Sequence, residues 1–216
     1  MALEVMKAPG GVRAGVAHSY KSIERVARSV RCCLASEIPP TQAMPGLGLF
    51  ESLYKFAIHV DGIQVPFEPA VEALQPGIEG ATRYDRLRNR IVIALSEATY
   101  ELLEQDNRRA RFSLAHEIGH GALHYRTLMR VGSMSHQMVA LYRGEALPHP
   151  KFEDTEWQAN AFAAALLMPA AGLAAVEKEH GFLSYFLLTS QFKVSSEAAA
   201  YRIESFNNRR EQLLNP

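Results

Sequence analysis

The sequence predicts an α+β fold, a small mixed or antiparallel sheet packed on a helical core, and three observations carry that expectation. Residues 54–67 alternate on either side of Asp61-Gly62, which is a hairpin pattern. Arg90-Ile91-Val92-Ile93-Ala94-Leu95 is a compact β-branched run of the kind that fills a buried strand. Helical spacing recurs on both sides of these runs. With 216 residues and 48% hydrophobic content, the chain is long enough for one well-cored domain.

Taken in order, residues 1–16 read as a flexible tail and 17–216 as a single domain, helical over 17–53 and carrying the sheet and the motif helices over 54–206. From His18 to Ala35, Ile23, Val26, Val30 and Leu34 recur at helical spacing until Ile38-Pro39-Pro40 breaks the pattern. A Pro/Gly-rich loop runs through Leu49, and order resumes over Phe50 to Leu53. The hairpin follows, and Pro66 marks its second run as an edge strand or a strand end. A Pro- and Gly-containing connection through Gly80 leads to the 90–95 strand. The next helix starts near Asp106 or Asn107, either of which can cap it, and runs to Leu123 or His124. Residues 126–150 separate it from a second helix and are placed to cover the space between the two as a lid. Thr155 and Gln158 form a T-x-x-Q capping box for that second helix. Gln158 to Leu167 is apolar nearly all round, as a central core helix should be. Met168-Pro169 stops it, Pro169 suits the first turn of another helix, and residues 197–206 form a last one.

Composition narrows the classes of function. The 23 Lys+Arg balance 23 Asp+Glu, so whole-protein attraction to nucleic acid is not expected. The arginines at 83, 86, 88, 90, 108, 109 and 111 interleave with Glu97, Glu101, Glu104 and Asp106, which reads as a solvated face. The two cysteines, Cys32 and Cys33, are adjacent, suiting neither a disulfide framework nor a CxxC metal site, so they read as free thiols. The N-terminus has no apolar secretory core, and the longest apolar stretch, 161–176, is short for a membrane span and interrupted by Pro169 and Gly172. A soluble, cytoplasmic protein with no membrane association is the expectation.

The chemistry concentrates at His116-Glu117-Ile118-Gly119-His120, an HExxH motif. On a helix its histidines lie one turn apart on one face and can share a zinc ion, with Glu117 beside them as a general base. Two ordinary histidines and a solvated glutamate give the same spelling, so a third ligand decides its meaning. A third histidine of the metzincin kind is excluded, because its position holds Arg126. A glutamate from the second helix is the alternative. Glu156 fits, with Asn160 one turn on to accept from the non-ligating nitrogen of a zinc histidine, and Glu153 and Asp154 are rivals. Gly119 and Gly121 are explained most simply by close packing against the 161–167 helix.

These segments resemble the ImmA/IrrE family of zinc metallopeptidases. The matching pieces are Arg111 to His120, against the family's RFTLAHELGH, and Ala159 to Pro169, against its ANxFAxxLLMP. A weaker piece is Phe192-Lys193-Val194-Ser195 with Arg202 behind it, and together they span about 91–203. The resemblance implies a gluzincin-like minimal peptidase with His116, His120 and Glu156 as ligands of one zinc ion per chain (other divalent metals fit such a site too) and Glu117 as the base. It departs from the pattern at Gln158, where many relatives carry Glu.

What it implies about function is intracellular regulatory proteolysis, with a helix-turn-helix transcriptional repressor as the protein substrate and links to stress response. No helix-turn-helix module is evident in this chain, and direct nucleic-acid binding is not expected. For stabilising the transition state, His124, Tyr201 and Arg202 are candidate donors. The alternative is a non-catalytic or toxin–antitoxin-type binding module on a peptidase fold, and a DNA-associated regulator motivated by the arginines is a further rival. The oligomeric state is open.

Overall fold

A computed structural model describes residues 13–131, 133–134 and 150–216. The sheet is built around β2 (Ile63–Glu72), which changes partner along its length. Ile63 to Pro66 run antiparallel to β1 (Ala57–Val60), with Val60 opposite Ile63. Asp61 and Gly62 both take positive φ (51° and 79°), the conformation a two-residue hairpin turn requires. From Phe67 to Glu72 the same strand runs parallel to β4 (Arg90–Ser96), and β3 (Gly80–Asp85) pairs antiparallel with the other side of β4. A two-residue β5 (Ser133–Met134) adds to β3, giving the order β1-β2-β4-β3-β5.

Two expectations are corrected here. Pro66 ends the pairing with β1 rather than the strand, because a residue without an N–H is tolerated where a strand exchanges one neighbour for another. The connection expected through Gly80 shrinks to residues 73–79, since β2 continues to Glu72 and β3 begins at Gly80.

Helices cover the sheet. α1 (Tyr20–Leu34) is capped by Ser19 and buries Ile23, Ala27 and Val30 as one stripe, while Cys32 and Cys33 are exposed and unpaired. After the short α2 (Gly46–Glu51) and α3 (Glu97–Glu104) comes α4 (Arg108–Leu123), which carries the motif. The Asn107 side chain accepts from the backbone N–H groups of Arg109 and Ala110, so Asn107, not Asp106, is its cap. α5 (Tyr125–Val131) follows directly, and most of the segment expected to cover the site, 135–149, lies outside the described residues.

α6 (Thr155–Leu167) packs on α4, which is thereby held between α6 and the sheet, with α1 on the other side of α6. Leu114, Ala115 and Ile118 of α4 meet Phe162, Ala163 and Leu166 of α6 in one core, over a β4 buried from Ile91 to Leu95. The cap of α6 is Asp154, whose carboxylate accepts from the Trp157 N–H at 2.8 Å. The expected Thr155/Gln158 box is therefore one residue out of step. α7 (Ala170–His180), α8 (Tyr185–Phe192) and α9 (Ser196–Leu214) complete the fold. Among the described residues no single helix is long and apolar enough to cross a membrane, and α6 and α7 bend by 49° at Pro169.

The segment expected to be a tail is docked from Arg13 onward. The Ala14 N–H donates to the Glu153 carbonyl at 2.7 Å and the His18 N–H to that of Phe152 at 3.2 Å. The arginine cluster disperses: Arg83 pairs with Glu72 and Arg109 with Glu79, while Arg111 is buried and donates to the Met44 carbonyl.

Candidate metal centre

Three elements meet at the motif: α4 supplies His116, Glu117 and His120, the first turn of α6 supplies Glu156 and Asn160, and β3 lies against Glu117. Gly119 makes the α4–α6 contact possible, since a Cβ there would come within 2.9 Å of Phe162 and 3.2 Å of the Ala159 backbone. Gly121 faces the other way, against Phe67 of β2 and Ile91 of β4, so only Gly119 follows the expected packing on α6.

The donor atoms converge. His116 Nε2 and His120 Nε2 are 3.0 Å apart, and the two Glu156 oxygens lie 3.3 Å from the first and 3.2 Å from the second. A tetrahedral zinc with donors at about 2.0–2.1 Å keeps them about 3.3 Å from one another, so the three side chains already have the spacing such an ion imposes. The group is buried, with its ligand atoms all within 4.8 Å of one another, and can hold a metal ion. The Asn160 carbonyl oxygen lies 2.9 Å from His116 Nδ1 and can only accept, which puts the proton on Nδ1 and turns the Nε2 lone pair toward Glu156 and His120.

In the metal-free chain, burial acts to lower His116, but the neighbouring Glu156, then Glu117 and Asn160, outweigh it and raise it above the ordinary imidazole value. Burial acts to raise Glu156, yet His120 and His116 hold it well below the usual carboxylate range. Such mutual favouring of opposite charges is what a buried imidazole–carboxylate pair produces.

Glu117 is positioned from below. The buried Thr82 hydroxyl lies 2.7 Å from Glu117 Oε2 and 2.8 Å from its backbone carbonyl. Gly80 leaves space for the same side chain, as a Cβ there would be 2.8 Å from Glu117 Cγ. Glu117, His116, Glu156 and Asn160 line a cleft of about 430 Å³ whose rim includes residues 77–80, Arg109 and Ser113.

The rivals for the third ligand are engaged elsewhere, Glu153 with Arg13 at 2.6 Å and Asp154 in capping α6. Of the three candidate transition-state donors, Tyr201 borders an adjoining cleft of about 600 Å³ that shares Asn160, Phe112 and Arg109 with the first. Its hydroxyl bonds that of Tyr20 at 2.8 Å, and burial raises its pKa above the ordinary phenol value. Arg202 is not brought to the site, because it is buried in an ion pair with Glu24 at 2.7 Å and donates to the Met168 carbonyl. His124 lies behind His120, its Nδ1 3.0 Å from His120 Nδ1, on the side away from Glu156. It meets Gln158, the position at which the sequence departs from the resembled pattern.

A helix bearing HExxH, joined by a glutamate from a following helix beside a small sheet, defines a metallopeptidase-like class of protein. The Peptidase_M78 family model (IrrE N-terminal-like domain) matches residues 71–204, more than half of the chain, and the chain belongs to that family. The matched span begins in β2 and takes in Thr82, the motif helix and Glu156. No curated protein matches the chain.

Proposed function

We propose that this protein is a zinc-dependent endopeptidase of regulatory type, acting on a transcriptional repressor of the helix-turn-helix kind. The convergence of His116, His120 and Glu156, with Glu117 in the same cleft, carries this reading. A zinc ion held by His116, His120 and Glu156 would supply Lewis acidity at the carbonyl and make the attacking water more acidic. Glu117 accepts a proton from the attacking water and returns it to the leaving amine, so its carboxylate must be unprotonated and aimed into the cleft. Thr82 fixes that aim. Asn160 holds the His116 ring in the tautomer a metal needs.

An extended peptide has a natural track. On the outer side of β3, pairing among the described residues involves Thr82 and Arg83, while residues 77–80 form the rim of the cleft. A substrate strand laid along this edge presents its backbone to Glu117, a form of recognition by main-chain hydrogen bonds.

The test uses purified wild type and Glu117→Gln with a candidate repressor. The variant is expected to keep metal by elemental analysis and to lose cleavage. Cleavage at the wild-type rate by the variant would defeat the mechanism. Tight binding of intact partner by wild-type protein, with no product, would make the chain a binding module on a peptidase fold.

A further inference from the structure

Behind His120, away from the cleft, a chain of hydrogen bonds fixes one proton after another. It starts at Gln158, which is fully buried in α6. Its side-chain nitrogen lies 2.7 Å from the Phe152 carbonyl and 3.1 Å from that of Val16. Both are acceptors, so the NH2 group must face them, and Oε1 is turned toward His124 Nε2 at 2.8 Å. An amide oxygen only accepts, so His124 carries its proton on Nε2. With that proton on Nε2, the buried neutral ring has its lone pair on Nδ1. That lone pair faces His120 Nδ1 at 3.0 Å. The contact is attractive only if His120 holds its proton on Nδ1, and its Nε2 then points unprotonated at Glu156 and His116.

We propose that Gln158 and His124 are positioning residues acting through His120: the carbonyls of Val16 and Phe152 orient the amide, the amide sets the His124 tautomer, and His124 holds His120 as the Nδ1–H form that offers Nε2 to the metal. The proposal rests on the metal-centre reading above. It extends the site to the docked N-terminal segment, because Val16 supplies one of the two carbonyls. It also gives the residue after Trp157 a reason to be a side chain that both donates and accepts. An amide does so without placing a buried charge beside the imidazole.

The test pairs two readouts on full-length protein. Long-range 1H–15N correlation reports which ring nitrogen of each histidine is protonated in the metal-free form, and chelator competition reports zinc affinity. In the wild type, His120 is expected as Nδ1–H and His124 as Nε2–H. Gln158→Met keeps the volume and removes the acceptor, so His120 should populate both tautomers and zinc affinity should fall about 10- to 100-fold. His124→Asn can retain an acceptor toward His120 and should preserve affinity, whereas His124→Leu should lose it by a similar factor. This second pair decides the question if Gln158→Met does not fold. Wild-type tautomers and affinity in Gln158→Met, or equal affinity in His124→Asn and His124→Leu, would overturn the relay. A wild type that binds no zinc would overturn the metal-centre reading, and its ring-nitrogen pattern would still show whether the tautomer chain exists.

Discussion

At the scale of single residues, Glu117, the proposed general base, meets a hydroxyl from a strand. Thr82 meets Glu117 at both the carboxylate and the backbone carbonyl, so Thr82→Val leaves a buried carboxylate short of a partner in a space of unchanged shape. The expected result is near-stoichiometric metal with kcat/KM lowered by about 10- to 100-fold, the scale of a reacting group displaced by up to an ångström. Wild-type kinetics in a folded, metal-loaded Thr82→Val would remove Thr82 from the mechanism. The motif itself was legible because its three residues lie within five positions of one helix, the two histidines on one face and Glu117 beside them. Glu156 was legible through the family resemblance, since Glu153 and Asp154 share its local setting, and only the ion pair with Arg13 and the cap of α6 separate the three. Thr82 was not legible. It reaches Glu117 across a sheet-to-helix contact from 35 residues upstream, and no local spacing encodes that.

Among elements, the decisive distance is that between α4 and α6, because one carries the histidines and the other Glu156. Gly119 sets it. Adding a Cβ in Gly119→Ala drives against Phe162 and the Ala159 backbone, an overpacking cost of about 1–3 kcal/mol, partly offset by about 1 kcal/mol of better helix propensity. The net expectation is a loss of up to about 2 kcal/mol, accompanied by weaker zinc binding as Glu156 is pushed from the histidines. Chemical denaturation and chelator competition measure the two effects. A stability loss with unchanged zinc affinity would show that the helix spacing does not govern the site. Helices α1, α4, α6 and α7 were readable from periodicity and stop signals, down to the break at Pro169, whereas α3, α5 and α8 were not. β3 was not, because Gly80-Ala81-Thr82-Arg83-Tyr84-Asp85 has neither apolar alternation nor a β-branched run, and its strand form comes from pairing with β4. The parallel β2–β4 ladder was hidden for a related reason: Pro66 and Pro69 interrupt the pattern, and sheet neighbours supply the order.

For the whole molecule, the proposed metal site is expected to couple stability to metal and to pH, with opposite slopes as pH rises through the value of His116. In the metal-free chain His116 is raised above its ordinary value of 6.5, so its contribution is complete below about that pH and is lost as pH rises through the higher folded value. His124 is depressed below 6.5, so the unfolded chain takes up a proton there that the folded chain refuses, and stability falls as pH drops below it. Glu156 is depressed below its ordinary 4.5, and its contribution is lost as pH falls beneath that. Metal-free protein should therefore be most stable near pH 6.5 and weaken on both sides. Zinc binding requires unprotonated histidines, so the increment it adds should be largest at the alkaline end and should shrink as pH falls through the raised value of His116, where protons compete for the ring. At free zinc 100 times its dissociation constant the increment is about 2.7 kcal/mol, or roughly 5–10 °C in Tm for a chain of this size. Melting curves with zinc and with chelator, from pH 8 down to pH 5, measure it directly. An increment of equal size at pH 8 and pH 5 would mean that the ion stabilising the fold is not held by His116 and His120. No increment at pH 8 would mean that these three side chains, spaced as they are, do not bind zinc.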